Sequence, residues 1–153
     1  EKYDMPILYS CHPRSRNRLV ASGFKLDSRV QVQQPLGFHD YNWLQMNAFA
    51  VVSDSGTLPE ESSFYASIGK PISAVCIRTS TERPEAIDKA CFILSGIDTK
   101  GLLQSVDLAV QMTKDGNHGI PVPSYTDDVS NKVVKIIQSY VGVVNKMVWR
   151  KEI

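Results

Sequence analysis

Short apolar runs rich in β-branched residues alternate along this sequence with segments of helical periodicity, and this alternation most constrains the fold. The runs are PILYSC at 6–11, RVQVQ at 29–33, AFAVV at 48–52, PISAVCI at 71–77 and CFILSG at 91–96. Helical spacing occupies 15–22, 40–47, 57–68 and 99–112. Strands separated by helices of this length indicate βαβ units and a parallel sheet. We therefore predict an α/β, Rossmann-like fold in which helices flank the sheet.

The pattern changes after Lys114. The stretch DGNHGIPVPSYTDD at 115–128 is rich in Gly, Pro and Asp, which predicts a surface loop. A long amphipathic helix is then predicted from about 129 to 148. Its apolar positions are Val133, Val134, Ile136, Ile137, Tyr140, Val144 and Val148.

Composition narrows the class of protein. The 153 residues are 42% hydrophobic, which is enough for one domain with a core, and the formal net charge of +1 favours neither nucleic acid nor an acidic membrane surface. Cys11, Cys76 and Cys91 are odd in number and form no C-x-x-C, so neither a disulfide framework nor a zinc site is expected. No membrane span or signal peptide is apparent, and the chain does not begin with Met. We expect a cytoplasmic piece of a longer protein.

The stretch SDSGT at 53–57 follows a predicted strand and precedes a predicted helix. Such turns lie at the carboxyl edge of a parallel sheet, where main-chain N–H groups and the positive helix end bind anions. Thr57 and Glu60 match a capping box, so Glu60 is expected to cap its own helix. Glu61 has no such structural task, and it is either solvated or the hydroxyl-binding acid of a phosphate loop.

The stretch IRTSTERPEAID at 77–88 follows the next predicted strand and therefore belongs to the same edge. Arg78 or Arg83 at a helix N-terminus opposes the helix dipole unless it has an anionic partner. Glu82, Glu85 and a bound anion are the candidate partners. An internal ion pair and a ligand site both remain open on the sequence.

His12 ends the first predicted strand in SCHPRSRNRL at 10–19. It is either a hydrogen-bonding residue of a ligand site or a strand-end histidine satisfied by the backbone. The arginines that follow, at 14, 16 and 18, do not share one helix face, so a nucleic-acid stripe is not expected. His39 and His118 have no metal-ligand spacing with His12, and no G-x-S-x-G accompanies Asp54 and Ser55.

Taken together, VVSDSGTLPEES, RTSTERPEAID and FILSGID resemble the C-terminal half of the non-hydrolysing UDP-N-acetylglucosamine 2-epimerases, which carry a D-S-G-G-x-x-E-E loop and a T-E-R-P-E loop. The resemblance runs from about Pro6 to Met112. The segments PLGFHDYNWLQMNAF and VVKIIQSY look most like the UDP-N-acetyl-L-fucosamine synthase subgroup, whose members act in capsule and O-antigen precursor synthesis.

The resemblance implies the second domain of a GT-B-type two-domain fold, with a UDP-binding domain at 1–126 and a helix at 127–153 that packs toward a missing N-terminal domain. The family chemistry removes the C2 proton, eliminates UDP and adds it back. Its acid and base groups lie outside this chain, so the isolated domain is expected to be inactive. The resemblance further implies a UDP-sugar ligand, no cofactor or metal, and a homodimer at full length.

The resemblance also implies which residues bind UDP. Ser55, Gly56 and Thr57 would hold the diphosphate, Glu61 the ribose, and Arg83 the charge of the leaving group. Leu36 and Tyr41 fall in the uracil loop, where Leu36 replaces a common glutamine and Tyr41 a phenylalanine. Thr57 replaces a glycine, so the turn must form without a left-handed residue there. Further candidate residues are His12, Arg78 and Glu82.

Two other functions share these features. A GT-B glycosyltransferase would have the same fold and the same uridine contacts, although the T-E-R-P-E loop disfavours it. A non-catalytic nucleotide-binding or assembly module is the second alternative.

Overall fold

Strands and helices alternate along the computed structural model, which describes residues 1–125 and 127–151. The strands are β1 (Ile7–Ser10), β2 (Val30–Gln33), β3 (Val51–Ser53), β4 (Ala74–Cys76) and β5 (Ile93–Leu94). The helices are α1 (Pro13–Ser22), α2 (Phe38–Asn47), α3 (Leu58–Ser67), α4 (Pro84–Asp88), α5 (Thr99–Lys114) and α6 (Val129–Met147), with a 3-10 turn at Pro123–Tyr125. Each predicted strand run contains an observed strand, which confirms the α/β class.

All the described strand pairs are parallel, as predicted, but they belong to two compact units. In the N-terminal unit, Glu1–Asn47, β1 pairs with β2 so that Ile7 lies opposite Val30. In the C-terminal unit, from Ala48 onward, the strand order is β3-β4-β5. The described structure therefore has two hydrogen-bonded sheets, whereas the sequence predicted a single parallel sheet. Periodicity identifies strands but carries no information about which strands pair.

The core of the C-terminal unit surrounds the central strand β4. Val75 is fully buried, and Leu58, the first residue of α3, is 0% exposed. Helix α5 contributes Val106, Ala109 and Val110, whose spacing of three and four residues gives one buried face. The core thereby fixes both β4 and the first turn of α3 beneath the SDSGT segment.

The segment after α5 is fastened to this core by hydrogen bonds. The main-chain N–H of Val122 donates to Ser63 Oγ at 2.7 Å, and the N–H of Ile120 donates to the carbonyl of Lys89 at 2.8 Å. The stretch predicted as a surface loop is therefore partly buried at Val122, which is 4% exposed.

Helix α6 forms where the sequence predicts it and buries none of its side chains. The Asp128 carboxylate accepts a hydrogen bond from the Asn131 main-chain N–H and so caps its first turn. The side chains at the predicted apolar positions along the helix are exposed, with exposed fractions from 36% at Val144 to 65% at Val134. The predicted boundary at 126 falls on Thr126, outside the described residues.

Within the part of the chain that is described, no helix is long and apolar enough to cross a membrane.

Candidate functional site

The SDSGT turn connects β3 to α3 without a left-handed residue. Thr57 has φ −89° and ψ −15°, which confirms the expectation for a threonine at this position. The main-chain N–H of Ser55 donates to Ser53 Oγ at 3.0 Å, and that of Thr57 donates to Ser55 Oγ at 3.2 Å. Serine and threonine hydroxyls thus hold the turn, as they do in ST turns. Within the described residues, the main-chain N–H of the exposed Gly56 donates to no acceptor.

A chain of hydroxyl groups runs from this turn to Glu61. Thr57 Oγ1 donates to Glu61 Oε1 at 2.8 Å, and Ser55 Oγ lies 2.9 Å from Thr57 Oγ1. Because the carboxylate only accepts, the Thr57 hydroxyl hydrogen goes to Glu61 and Ser55 is the donor to Thr57. The structure thereby brings together three of the residues predicted for UDP, and it fixes the Glu61 carboxylate beside the turn.

The predicted capping box is wrong. The Thr57 side chain makes no capping hydrogen bond, and its main-chain N–H already donates to Ser55. Glu60 instead accepts a hydrogen bond of 2.6 Å from the Nε of Arg83. A charge-assisted bond to a guanidinium is stronger than a bond to a neutral N–H group, which explains why Glu60 faces the second loop and not its own helix.

Arg83 ends the loop that follows β4 and lies directly before α4. Its main-chain N–H donates to Thr81 Oγ1, and its Nη1 donates to the Glu82 carbonyl at 3.1 Å. The hydrogen bond from Arg83 to Glu60 raises the pKa of the guanidinium further above its ordinary value. The sequence named Glu82 and Glu85 as candidate partners, whereas the acid found is on α3.

Arg78 lies against the same turn. It donates two hydrogen bonds to Glu82, at 3.0 and 2.8 Å, and this interaction holds the pKa of the Glu82 carboxyl below its ordinary value. An added Cβ at Gly56 would lie 3.6 Å from Arg78 Nη1. The glycine turn therefore has one guanidinium beside Gly56 and another on Glu60. Of the partners that the sequence left open for Arg78, the structure shows Glu82.

A further contact joins the T-E-R-P-E loop to the segment after α5. Tyr125 donates a hydrogen bond of 2.7 Å to Glu85, and this bond lowers the pKa of the carboxyl below its ordinary value. Burial, reinforced by the hydrogen bond to Glu85, raises the pKa of the tyrosine. Sequence reasoning missed Tyr125, because 40 residues separate the partners and no local pattern connects them.

The remaining candidates belong to the N-terminal unit. His12 precedes α1, and its Nδ1 accepts the main-chain N–H of Arg14 at 3.2 Å, as expected of a strand-end histidine satisfied by backbone. Leu36 is half-buried in the segment between β2 and α2. Tyr41 is half-buried in the first turns of α2, where its N–H donates to the Gly37 carbonyl. Their roles in ligand binding stay predictions.

Potential metal ligands and thiols add nothing to this site. Among residues 1–125 and 127–151, no cluster of three or more His, Cys, Asp or Glu side chains could hold a metal ion. The three cysteines are free and buried, and burial raises the pKa of Cys76 and Cys91.

Comparison with known proteins supplies the family. The model of the UDP-N-acetylglucosamine 2-epimerase family matches residues 1–138. A UDP-N-acetylglucosamine 2-epimerase of Methanococcus maripaludis is 30% identical over 130 residues, covering 78% of this chain and 34% of the relative. The chain thus spans about a third of the length of the curated relatives it matches.

Solved structures agree with that match. A Rickettsia bellii UDP-N-acetylglucosamine 2-epimerase has a TM-score of 0.70 at 34% identity, covering 98% of this chain and 40% of that one. The Methanocaldococcus jannaschii UDP-GlcNAc 2-epimerase in complex with UDP-GlcNAc and UDP also has a TM-score of 0.70, at 25% identity, covering 91% of this chain and 37% of that one. This protein chain therefore belongs to the UDP-N-acetylglucosamine 2-epimerase family.

Proposed function

We propose that the chain is the UDP-binding part of an enzyme that inverts C2 of a UDP-N-acetylhexosamine. The observation that carries this proposal is the cluster at the start of α3. A glycine turn, a fixed carboxylate and two guanidinium groups meet there, within one unit and at the carboxyl ends of its strands. Open parallel sheets bind their ligands at this edge.

The diphosphate would lie against the turn and Arg83. The exposed main-chain N–H of Gly56 would be one hydrogen-bond donor to the phosphate oxygens, and the positive end of the α3 dipole would strengthen this anion binding. A guanidinium has five N–H donors, of which Arg83 uses one at Nε for Glu60 and one at Nη1 for the Glu82 carbonyl. Arg83 could therefore bind a phosphate oxygen while Glu60 still holds its orientation.

The ribose would bind Glu61. The hydrogen bond from Thr57 occupies one side of the carboxylate and restricts its rotamers, while a carboxylate has about four lone-pair sites in all. Glu61 can therefore accept bonds from ribose hydroxyls without losing Thr57. In this assignment the Ser55 and Thr57 hydroxyls organise the site, and each would turn its hydrogen from its present acceptor to a phosphate oxygen when it binds the diphosphate.

Retention of UDP would be the mechanistic task of this cluster. In the proposed reaction, a base removes the C2 proton, the C1–O bond breaks with UDP leaving, and a glycal-type intermediate remains. UDP then adds back at C1, and C2 is reprotonated on the other face. Donors that bind the developing diphosphate charge lower the barrier, and keeping UDP in place makes its return effectively unimolecular.

The acid and base groups would come from a domain that this chain lacks. We propose that the chain is the C-terminal domain, that the exposed apolar face of α6 packs toward the missing N-terminal domain, and that the isolated chain is inactive. Leu36 and Tyr41 are proposed uracil contacts. The fucosamine synthase subgroup, surface polysaccharide synthesis, a cytoplasmic location and a homodimer are further parts of the same proposal.

An isotope experiment tests the activity. The full-length parent is incubated in D₂O with a UDP-N-acetylhexosamine and no acceptor, and the product is examined by NMR. We expect epimer carrying deuterium at C2, because C2 loses and regains a proton. A requirement for an acceptor would instead indicate a glycosyltransferase. Epimerisation by the isolated chain would contradict the placement of the acid and base groups outside it.

A further inference from the structure

Two hydrogen bonds hold the T-E-R-P-E loop, one on each side of Pro84. On one side, Arg83 Nε donates to Glu60 Oε1 at 2.6 Å. On the other side, Glu85 Oε1 accepts a hydrogen bond of 2.7 Å from the Tyr125 hydroxyl. Glu60 already has a place in the proposed UDP site, whereas Tyr125 has none.

Tyr125 belongs to a segment that the core of the C-terminal unit already fixes. The main-chain N–H of Val122 donates to Ser63 Oγ at 2.7 Å, and both residues are buried. The main-chain N–H of Tyr125 donates to the Val122 carbonyl at 3.1 Å, and that of Ile120 donates to the Lys89 carbonyl at 2.8 Å. The segment therefore keeps its position without the Tyr125 hydroxyl, and Tyr125 is the fixed partner in its contact with the loop.

Glu85 belongs to the less constrained side of this contact. Helix α4 has five residues, of which Ala86 is buried, and the Arg83 side chain at its N-cap makes no capping hydrogen bond. A helix this short gains little stability from its own hydrogen bonds. An anchor at Glu85 therefore restrains the backbone that carries Arg83, two residues earlier in the sequence.

Both anchors lead back to helix α3. Glu60 accepts directly from Arg83, and Ser63, three residues further along the same face of α3, holds the segment that carries Tyr125. The hydrogen bond to Glu60 is the main cause that raises the pKa of the Arg83 guanidinium, and the charge of Glu85 adds to it. The loop is thus held to one helix at two points, and the guanidinium lies close to both.

We propose that Tyr125 is a positioning residue of the UDP site, whose hydroxyl orients the Arg83 guanidinium toward the diphosphate through Glu85. This role rests on the proposed function, because it requires the diphosphate to lie against Arg83. Glu60 restrains the guanidinium itself, and Tyr125 restrains the backbone behind it. A donor that is oriented in advance loses less conformational entropy when the ligand binds, so loss of the Tyr125 bond should weaken UDP binding.

A double-mutant cycle with UDP as the probe tests this role. Calorimetry compares the wild-type 153-residue chain with Tyr125→Phe, with Arg83→Ala and with the double variant. We expect Tyr125→Phe to weaken UDP binding roughly two- to fivefold on its own, and to cause no further loss when Arg83 is already alanine, because no guanidinium is left to orient. Tyr140→Phe, which removes a hydroxyl from a tyrosine on the exposed face of α6, should bind UDP as the wild type does.

Two substitutions at Glu85 test the same contact from the other side. Glu85→Gln and Glu85→Ala remove the same negative charge, but only glutamine keeps a side-chain oxygen that accepts from Tyr125. We therefore expect Glu85→Gln to bind UDP more tightly than Glu85→Ala. A merely structural contact would change the free energy of unfolding in these variants and leave their UDP affinities equal. This pair also serves if Tyr125→Phe fails to fold.

Three outcomes would overturn the positioning role alone. They are wild-type UDP affinity in Tyr125→Phe, an equal loss from Tyr125→Phe with and without Arg83, and equal UDP affinities in Glu85→Gln and Glu85→Ala. Failure of the proposed function gives a different pattern, because Arg83→Ala would then bind UDP as tightly as the wild type.

Discussion

Arg83 and Glu60 are 23 residues apart in sequence, yet the Arg83 Nε lies 2.6 Å from Glu60 Oε1. Both side chains are 38% exposed, so water screens the pair and its contribution to stability is expected to be small. Its effect is geometric, because it joins the T-E-R-P-E loop to the first turn of α3. We interpret Glu60 as a residue that positions Arg83.

Two substitutions at Glu60 separate its role in orienting Arg83 from the effect of its negative charge. In Glu60→Gln, an amide oxygen can still accept the Nε hydrogen bond, while the negative charge near the diphosphate is gone. In Glu60→Ala, the guanidinium loses its support. We expect Glu60→Ala to weaken UDP binding roughly three- to tenfold and Glu60→Gln to weaken it less, as measured by calorimetry. Equal losses in the two variants would argue against a positioning role.

The ribose assignment predicts a loss of sugar selectivity at Glu61. The wild-type chain should prefer UDP over 2′-deoxy-UDP, because the carboxylate accepts a hydrogen bond from the 2′-hydroxyl. Glu61→Ala should bind both nucleotides with similar, lower affinity. Glu60→Ala is the matched control, since it removes the adjacent acid and should retain the preference. A preference that survives in Glu61→Ala would place the ribose elsewhere.

The Tyr125 hydrogen bond predicts a pH dependence at Glu85. Because this bond lowers the pKa of the folded-state carboxyl, it stabilises the fold at pH values above the ordinary pKa of Glu, and the contribution is lost as the pH falls through the lowered value. In Tyr125→Phe, the pKa of Glu85 should rise toward its ordinary value, as followed by carboxyl NMR titration. Tyr140→Phe, on the exposed face of α6, should leave it unchanged.

Leu58 is expected to support the site through packing. Its side chain is 0% exposed directly after the SDSGT turn, so Leu58→Ala should lower the free energy of unfolding by about 2–5 kcal/mol. Leu108→Ala makes the same change at a side chain that is 52% exposed, and a much smaller loss is expected. Urea denaturation provides both values. Similar losses for the two leucines would contradict the burial of Leu58.

The sequence predicted those features that depend on local spacing. The strand runs and the helices follow from hydrophobic periodicity, and the structure contains them. The right-handed backbone conformation of Thr57 follows from the absence of a second glycine in the turn, and the structure shows it. The Glu60 capping box was also a local inference, but it failed because Arg83, distant in sequence, offered Glu60 a stronger partner. The bond from Tyr125 to Glu85 likewise depends on a tertiary contact that no local pattern encodes.

Titration of UDP into Arg83→Ala tests the central claim most directly. Calorimetry would compare the wild-type chain with Arg83→Ala and with Arg18→Ala, which removes an arginine outside the proposed site. We predict that Arg83→Ala weakens UDP binding roughly tenfold or more, since a charged hydrogen bond to phosphate is lost, and that Arg18→Ala does not. Wild-type affinity in Arg83→Ala would contradict the placement of the diphosphate at this turn.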